Sequence, residues 1–367
     1  MIPSKSPRSL WLPRCWRTLV LVIAFFITSF FLLETFWPAQ QRLGELEDTL
    51  EISNNGLSPG HNENPTVNLV MATLRKDDIS WVDNITIPNL NVIRYISDST
   101  DAEFHPPVPK KGREAMIYLT YLHDYYDNLP DISIFIHADE TPWHMESALN
   151  SSVAFALSHL DLQQVLHQKY FNLRVSWQNA CPDWINTTKT TGNKVKEEQR
   201  YMYDAFMENF ATDQVPEILA GPCCSQFAVT KDAVRSRPRS QYRKNMDWLL
   251  ETSLDDYISG RIWEHLWQWL FKGEAIDCPN EWESYCRMYH VCFDSESRVQ
   301  VMSLEAEKKY LQDMGLFKQL LDLLGGFKTR ARLAEIDTIL ATEVENALER
   351  GKSEAVRLEL FPNLYDP

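Results

Sequence analysis

A long apolar run close to the start of the sequence constrains this chain most strongly. Residues 18–33 read TLVLVIAFFITSFFLL and carry no charged side chain. Trp16 and Trp37 flank the run, where membrane-interface aromatics are common. A membrane-spanning helix needs about 20 mostly apolar residues. We therefore predict a transmembrane anchor at residues 18–37, of a length that suits a thin early-secretory membrane.

The charges on either side of the run predict its orientation. Lys5, Arg8, Arg14 and Arg17 precede it, whereas the residues after it are predominantly acidic up to position 51. Positive charge stays on the cytoplasmic side of a membrane, so residues 1–17 are predicted to be a cytoplasmic tail. A cleaved signal peptide is the alternative, but the run is long for one and no clear cleavage site follows. We expect a single-pass type II membrane protein of the Golgi or ER, with its main domain in the lumen.

The cysteines are distributed unevenly about the predicted anchor. Cys15 lies on the cytoplasmic side, and the other six lie on the lumenal side, where disulfides persist. A bond between adjacent cysteines strains the peptide between them, so Cys223 and Cys224 are expected to bond to separate partners. The sequence does not choose among the pairings. The six predicted disulfide cysteines are Cys181, Cys223, Cys224, Cys278, Cys286 and Cys292.

Three N-glycosylation sequons agree with a lumenal location. They begin at Asn84, Asn150 and Asn186, and all three follow the predicted anchor. A single sequon can arise by chance, but none of the three falls on the predicted cytoplasmic side.

Composition and missing motifs exclude several classes of function. The formal net charge of -15 and the pI of about 5.1 argue against a nucleic-acid partner. The sequence contains no G-x-S-x-G, H-E-x-x-H, P-loop or G-x-G-x-x-G motif. Readings as a serine hydrolase, zincin, NTPase or simple dehydrogenase therefore lack support.

Strands and helices alternate between residues 66 and 293. This order predicts an α/β domain with a mixed, mostly parallel sheet and flanking helices. A polar stretch rich in Gly, Pro and Asn, residues 38–65, precedes it and is predicted to be a stem. The predicted strands are 66–74, 91–97, 132–137, 170–177 and 225–230, and the predicted helices are 112–128, 194–210 and 252–273.

Residues 294–367 change to a purely helical pattern. Apolar residues recur at helical spacing on both sides of Gly325–Gly326, which predicts a helical hairpin. Its apolar stripe packs on the domain, on itself or on a second copy of the chain, and the last alternative implies self-association. The stripe consists of Tyr310, Met314, Phe317, Leu321, Leu324, Leu333, Ile336, Leu340 and Val344.

A polar cluster follows the predicted strand 132–137. His137, Asp139 and His144 are candidate ligands of a divalent ion such as Mn²⁺ or Mg²⁺, because ligands bind beyond the carboxyl ends of strands in open α/β sheets. Trp143 is a candidate substrate-binding residue in the same loop. The alternative is that His137 is a hydrogen-bonded strand-end residue and that Trp143 and His144 anchor the loop.

The start of the tyrosine-rich helix at 112–128 is a candidate anion site. Lys111, Gly112 and Arg113 occupy it, and the positive end of a helix dipole attracts anions. The alternative is a solvated helix start in which Arg113 pairs with an acidic side chain.

Two further residues are candidates for roles in the site. Glu264 lies among tryptophans, and burial raises the pKa of a carboxyl group toward the range of a general base. Its alternative is an ion pair with Arg261 or Arg235. Gln226 is a candidate hydrogen-bonding partner of a sugar hydroxyl, or else a structural amide.

Several motifs recur in an order that resembles an uncharacterised fungal family, known only as a domain of unknown function. They are LPDISIFIHADETPWH, CPDW, CCSQFAVTKDAVRSRPRSQY and WLLETSLDDYISGRIWEHLWQWLF, and the resemblance covers roughly residues 67–293. It implies no established activity.

A looser resemblance is to Golgi glycosyltransferases of the nucleotide-sugar (GT-A) kind, which share the anchor, stem and α/β body. The segment CCSQFAVTKDAV resembles a strand of their branching-enzyme class, and the helix with Glu264 resembles that class's acidic helix. The resemblance implies sugar transfer from a nucleotide sugar to a glycan acceptor, with Glu264 as base and Asp139 facing the diphosphate or its metal. The usual D-x-D is replaced by His-Ala-Asp at 137–139. The alternative is a non-catalytic lumenal module that binds glycans or scaffolds partners.

Overall fold

A five-stranded mixed sheet forms the centre of the computed structural model, which describes residues 64–313 and 327–365. The strand order is β2-β1-β3-β7-β4. Strands β1, β2 and β3 are mutually parallel, and β7 runs antiparallel to both β3 and β4. A separate two-stranded ribbon pairs β5 with β6. The strands are β1 (Val67–Thr73), β2 (Leu90–Ile96), β3 (Ile132–His137), β4 (Tyr170–Asn172), β5 (Ile185–Asn186), β6 (Ile218–Leu219) and β7 (Phe227–Thr230).

Helices cover both faces of the sheet. They include the tyrosine-rich α1 and the tryptophan-rich pair α7 and α8. Short 3₁₀ turns occur at Ser80–Asn84, Ser147–Leu149 and Glu197–Tyr201. The helices are α1 (Glu114–Asp124), α2 (Val153–His159), α3 (Leu162–Gln168), α4 (Met202–Phe210), α5 (Lys231–Arg235), α6 (Arg239–Glu251), α7 (Asp256–Glu264), α8 (Trp267–Lys272), α9 (Glu281–Tyr289), α10 (Ser295–Asp313), α11 (Phe327–Gly351) and α12 (Glu354–Leu360).

The apolar runs of the central strands follow from burial on both faces. In β3, Ile132, Ile134 and Ile136 enter one hydrophobic core, whereas Phe135 enters the other. Successive side chains of a strand point to opposite faces, and strands covered on both faces read as nearly continuous apolar runs. The predicted mixed α/β architecture with a mostly parallel central sheet is thus confirmed.

Several predicted elements differ from the structure in extent, and three of them differ for a reason that the structure shows. The strand predicted at 170–177 ends at Asn172, whose side-chain carbonyl accepts a hydrogen bond from the backbone N–H of Arg174 at 3.1 Å. The helix predicted at 194–210 begins as a 3₁₀ turn and is α-helical only in α4. The helix predicted at 252–273 is divided into α7 and α8 at His265, whose imidazole is held by Glu198.

The C-terminal helices pack on the domain within one chain. Val301 and Leu304 of α10, with Ile336 and Leu340 of α11, are buried in the same core as alternate side chains of β1 and β3. The two helices are joined by the ion pair of Arg332 with Glu307, 2.7 Å apart. Predicted stripe residues Met314, Phe317, Leu321 and Leu324 lie outside the described residues.

The predicted anchor and tail also lie outside the described residues, as does the stem apart from its last two positions. In the part of the chain that the structure describes, no helix combines the length and apolar character that crossing a bilayer requires.

Three disulfides join the six predicted cysteines. Cys181 bonds to Cys278, Cys286 to Cys292, and Cys223 to Cys224. The expectation that the adjacent pair reaches two separate partners was wrong. The reason is local: the backbone at Cys224 and Ser225 has positive φ values of 86° and 49°, a turn that brings the neighbouring sulfurs together.

Removing the Cys181–Cys278 bond should destabilise the chain strongly. The cysteines are 97 positions apart, and closing a loop of about 100 residues is worth about 4 to 5 kcal/mol through the unfolded state. We expect C181S/C278S to lower the free energy of unfolding by about 4 kcal/mol in urea denaturation. The matched variant C223S/C224S should lose less than about 1 kcal/mol, because its bond closes no loop. Equal losses would contradict this account.

Candidate functional site

A cleft of about 250 Å³ opens at the carboxyl edge of the sheet, beside the start of α1. Strands β1, β2 and β3 contribute their last residues or the residues directly after them, and α1 contributes its first turn. Asp256 of α7 closes one side. The cleft is lined by Ala72, Thr73, Leu74, Asp77, Ser97, Pro106, Val108, Lys110, Lys111, Arg113, Glu114, Met116, Ile117, His137 and Asp256.

The topology explains why the cleft lies there. From β1 the chain proceeds to β2 on one side, and β3 then pairs on the other side of β1. From β3 it continues away from β1, to β4 at the far edge. The connections after β1 and β3 thus leave in opposite directions, so that a crevice forms between the carboxyl ends of the two strands. Open α/β sheets bind ligands at such switch points.

The predicted anion site forms the helix-start wall of the cleft. Lys110, Gly112 and Arg113 all have positive φ, which non-glycine residues rarely adopt. A Cβ on Gly112 would lie 2.6 Å from Leu249 Cδ2, so only glycine fits this turn. Such strained backbone is concentrated at functional sites, and here it places cations at the positive end of α1.

The cations of this wall differ in how they are engaged. Lys111 donates from Nζ to the carbonyl of Thr252 at 2.8 Å. Arg113 places its guanidinium 4.8 Å from the ring centre of Tyr257 and remains exposed. Lys110 is exposed and has no hydrogen bond or ion pair within 64–313 and 327–365. Lys110 and Arg113 are therefore available to an anionic ligand.

The acidic residues of the cleft are partly occupied. Asp256 Oδ1 accepts a hydrogen bond from the backbone N–H of Arg113 at 2.9 Å, and Asp77 Oδ2 accepts one from that of Leu74 at 2.8 Å. Glu114 is half-buried, and its carboxylate has no polar partner among the described residues. The carboxylates of Asp77 and Asp256 thus stabilise loops through backbone hydrogen bonds. Glu114 lines the cleft and makes no such bond among the described residues.

His137 links the cleft to the paired cysteines. Its Nε2 donates to the carbonyl of Cys224 at 2.8 Å. A carbonyl can only accept, so Nε2 carries the proton, and burial lowers the pKa so that the ring is neutral at neutral pH. Nδ1 is then an acceptor, with no partner in the described part of the chain. The hydrogen-bonded strand-end interpretation of His137 thus holds, and one nitrogen is still available.

The predicted metal ligands are not assembled into a metal site. The rings of His137 and His144 lie with centres 5.6 Å apart. Exposed Asp139 instead accepts a hydrogen bond from the backbone N–H of Thr141 at 3.0 Å. Across residues 64–313 and 327–365, no three His, Cys, Asp or Glu side chains form a group suited to a metal ion. The residues present do not fit a resident Mn²⁺ or Mg²⁺, because among the described residues no third ligand joins the two imidazoles in one group.

His144 and Gln226 form a buried pair instead of lining the cleft. The Gln226 amide donates to His144 Nε2 at 2.8 Å, and both residues are nearly inaccessible. Burial, together with the neighbouring His137 and Arg174, lowers the pKa of His144 to about 3. Gln226 therefore takes the structural alternative. Trp143 next to His144 is 83% exposed and does not line the cleft either.

Glu264 does not line the cleft, although the charges of the cleft residues Glu114 and Arg113 act on it, and it has no ion-pair partner among the described residues. It does not pair with Arg261 or Arg235: Arg261 binds Glu198, and Arg235 donates to the carbonyls of Tyr126 and Asp127. Burial and the nearby carboxylate of Glu114 raise the pKa of Glu264 to about 8, against the opposing charge of Arg261. A carboxyl group with this pKa suits proton transfer near neutral pH.

A buried acid that the sequence did not single out explains why Glu264 is left over. Glu198 is fully buried and accepts hydrogen bonds from Arg261 at 2.8 Å and from His265 at 3.1 Å. Burial alone would raise its pKa, but the hydrogen bonds from His265 and Arg261 lower it to about 2. Glu198 thus pairs with Arg261, the cation of α7 that the sequence analysis gave as an alternative partner of Glu264. In the sequence, only the four-residue spacing of Arg261 and His265 could have indicated that one acidic side chain binds both.

Other cleft residues were missed for different reasons. Thr73 is the second-last residue of the predicted strand 66–74 and Ser97 is the last of the predicted strand 91–97, so the rule that ligands bind at strand ends could have identified both. Asp256 could not be found in this way, because it reaches the cleft from α7, which is distant in sequence from α1.

The sequence of the domain matches the model of one known family. The family described as Protein of unknown function (DUF3431) matches residues 69–287. The chain belongs to the DUF3431 family. The matched residues include most of β1, all of β2 and β3, and the entire lining of the cleft. No curated protein and no solved structure matches the chain, and none of these comparisons links the DUF3431 domain to glycosyltransferases.

Replacing Glu264 should change how stability depends on pH. Its folded pKa of about 8 exceeds the ordinary value of 4.5, so between these pH values the folded state retains a proton that the unfolded chain releases. The free energy of unfolding of the natural chain therefore falls as pH rises through this window. Glu264→Gln carries no such proton and should be more stable by at least about 1 kcal/mol above pH 8.

Urea denaturation between pH 5 and 8.5 measures the difference. Glu251→Gln, at an exposed carboxylate of α6, is the matched control and should follow the natural chain. A constant difference between Glu264→Gln and the natural chain across the range would contradict the assigned shift.

Proposed function

We propose that this chain is a single-pass type II membrane protein of the Golgi or ER that transfers a sugar from a nucleotide-sugar donor to a glycan acceptor. The observation that carries the proposal is the position of the cleft. It lies at the switch point of an α/β sheet, and its helix-start wall presents Lys110 and Arg113. The mixed sheet with one reversed strand, β7, is consistent with the glycosyltransferase resemblance.

The cleft suits a ligand with an anionic part and an apolar part. Lys110 and Arg113 supply charge-assisted hydrogen bonds, which phosphate oxygens accept well. Pro106, Val108 and Met116 line the same cleft and supply an apolar wall. The volume of about 250 Å³ is near the lower end of small-molecule pockets, which begin at about 300 Å³, so the diphosphate and part of the nucleoside fill it.

Sugar transfer in this site uses groups already present. An acceptor hydroxyl attacks the anomeric carbon of the donor, and Glu264 in its ionised form, which becomes abundant near its pKa of about 8, takes the hydroxyl proton. The bond from that carbon to the diphosphate oxygen breaks, and Lys110 and Arg113 stabilise the charge of the departing nucleoside diphosphate. The free Nδ1 of His137 accepts a hydrogen bond from a donor hydroxyl. No step depends on a metal at His137, Asp139 and His144.

A second candidate is a non-catalytic glycan-binding module in the same compartment. Trp143 favours it, because 83% of this side chain is exposed in a loop that follows the carboxyl end of β3. Trp is enriched at binding surfaces, because its ring offers an apolar face together with an N–H donor. In this case Trp143 stacks on a sugar ring, and Glu264 has no catalytic duty.

The diphosphate part of the proposal can be tested by calorimetry with the full-length protein in detergent. Uridine diphosphate should bind at least about tenfold more tightly than uridine, because only the former engages the cations. Arg113→Ala and Lys110→Ala should each weaken uridine diphosphate binding about fivefold.

Arg243→Ala is the matched control for these variants. Arg243 is an exposed arginine of α6 that pairs with Asp247 at 2.9 Å, and it does not line the cleft. Its loss should leave affinity unchanged. Equal binding of uridine and uridine diphosphate, or equal effects of Arg243→Ala and Arg113→Ala, would contradict a diphosphate site.

The lumenal orientation predicts glycans at two exposed sequons. Asn84 and Asn150 are exposed, whereas Asn186 is partly buried and its side chain accepts a hydrogen bond from the Thr188 hydroxyl at 2.6 Å. Endoglycosidase treatment of the protein from secretory cells should increase its electrophoretic mobility. Asn84→Gln and Asn150→Asp should each remove one glycan. Aspartate suits Asn150 because it tolerates the left-handed backbone there, φ 53°. An unmodified protein at both positions would contradict the orientation.

A further inference from the structure

We propose that the Cys223–Cys224 disulfide is a redox modification site that a dithiol reductant opens, and that its state controls the hydrogen bond of His137 in the cleft. The inference does not depend on which ligand the cleft binds. Four observations carry it: the spacing of the two cysteines, their place in the fold, a buried arginine and a direct hydrogen bond to the cleft.

The spacing indicates that this disulfide is not a structural staple. A disulfide stabilises mainly by closing a loop in the unfolded chain, and the gain grows with the length of the loop. Cys181 and Cys278 are 97 positions apart, and Cys286 and Cys292 are six apart, whereas Cys223 and Cys224 are adjacent. The adjacent pair therefore contributes almost nothing by this route, and a purpose other than global stability is required.

The place of the pair connects it to the cleft. It lies just before β7, which runs antiparallel to β3 and pairs Phe227 with Phe135. The start of β7 is therefore at the same edge of the sheet as the end of β3, where His137 lines the cleft. The carbonyl of Cys224 accepts the hydrogen bond from His137 Nε2 at 2.8 Å.

A buried arginine makes one sulfur a good leaving group. The Arg174 guanidinium is 5% exposed, its Nη1 contacts Cys223 Sγ, and Cys224 Sγ lies 3.7 Å from the same nitrogen. Its nearest carboxylate, Glu146, is 3.9 Å from Nε, beyond hydrogen-bond distance, and Nε has no partner in the described part of the chain. A thiolate on Cys223 would add a close anionic partner to the long ion pair of Arg174 with Glu146, and a neighbouring arginine stabilises thiolates.

The reaction is an ordinary thiol–disulfide exchange. A thiolate of the dithiol reductant attacks Cys224 Sγ, forming a mixed disulfide and releasing Cys223 as a thiolate beside Arg174. The second thiol of the reductant then attacks the reductant's other sulfur, which is bonded to Cys224 in the mixed disulfide, and releases Cys224. The reductant leaves as a cyclic disulfide. Two electrons have passed to the cysteine pair. One of the two protons of the dithiol is on Cys224, and the other has gone to solvent, so that Cys223 remains a thiolate.

Opening the bond should release His137. Cys224 has φ 86°, a region that costs an L-residue about 1 kcal/mol or more. Once the covalent bond is gone, its constraint no longer offsets this cost. Rotation to negative φ turns the Cys224 carbonyl away from His137 Nε2. The imidazole then loses its fixed orientation, and the wall of the cleft changes.

The first test is the order in which the disulfides are reduced. The full-length protein is titrated with dithiothreitol without denaturant, free thiols are alkylated, and each cysteine is followed by peptide mass spectrometry. Cys223 and Cys224 are 8% and 7% exposed and Cys286 and Cys292 are 0% exposed, whereas Cys181 and Cys278 are half-buried and therefore more accessible. Earlier reduction of the adjacent pair would thus reflect the effect of Arg174 on Cys223 and not accessibility. We expect Cys223 and Cys224 to be alkylated first, while the Cys181–Cys278 and Cys286–Cys292 bonds remain. Reduction of Cys181–Cys278 before the adjacent pair would overturn the proposal.

The second test is the accessibility of His137, which requires no ligand. Carbethoxylation of His137 by diethyl pyrocarbonate should increase at least about threefold after selective reduction, because Nε2 is no longer engaged. His123 on α1, which bonds to neighbouring Asp124 at 2.8 Å, is the internal control and should not change. Unchanged labelling of His137 in the reduced protein would also overturn the proposal.

Variants separate the two parts of the inference. C223S/C224S should show the high His137 labelling without reductant. Arg174→Gln should slow reduction of the pair about tenfold, and Arg174→Lys, which keeps the charge, should retain most of the rate. Thermal unfolding of each variant identifies any that fail to fold. A failure of uridine diphosphate binding would contradict the proposed function alone, since neither readout here uses that ligand.

Discussion

The pairing of β1 with a parallel strand on each edge is the constraint on which the rest of the structure depends. Each backbone amide and carbonyl of a buried strand needs a partner, and β2 and β3 supply them along the whole of β1. Parallel partners require long crossover connections. The connection after β1 leads to β2 and the connection after β3 leads to β4, on opposite sides of the pair. The same requirement that satisfies the backbone therefore also creates the crevice at the carboxyl edge.

The polar residues at this edge are organised into two layers. The cleft itself is lined by two cations without an ion-pair partner among the described residues, Lys110 and Arg113, and by the neutral imidazole of His137. Behind it, Arg174 is buried against the Cys223–Cys224 disulfide. His137 belongs to both layers, since one ring nitrogen binds Cys224 and the other remains for the cleft. A change in the buried layer can thus reach the ligand space through a single side chain.

Charge pairing on α7 determines the character of Glu264. Glu198 is fully buried and neutralises Arg261, while it also binds His265 at the end of the helix. Because that cation is already committed, burial and the field of Glu114 dominate at Glu264 and raise its pKa. A structural ion pair and an acid with a raised pKa therefore arise together on one helix.

The helices after the DUF3431 match share the core of the domain. The match ends at residue 287, yet Val301, Leu304, Ile336 and Leu340 are buried against the same face of the sheet as Ile134. Their apolar surface is therefore covered within one chain. The C-terminal helices complete a layer that the matched residues alone would leave incomplete.

The sequence by itself determined the α/β class and the position of β3, and it singled out residues at the start of α1 and at the strand end at His137 that line the cleft. Local apolar runs and helical spacing are sufficient for these features, because each is decided by neighbours in the chain. Only the tertiary structure decided that Cys223 bonds to Cys224, that Gln226 serves His144 and that Arg261 binds Glu198 instead of Glu264. These outcomes depend on which polar groups meet when distant segments pack, and neither the spacing nor the type of a residue carries that information.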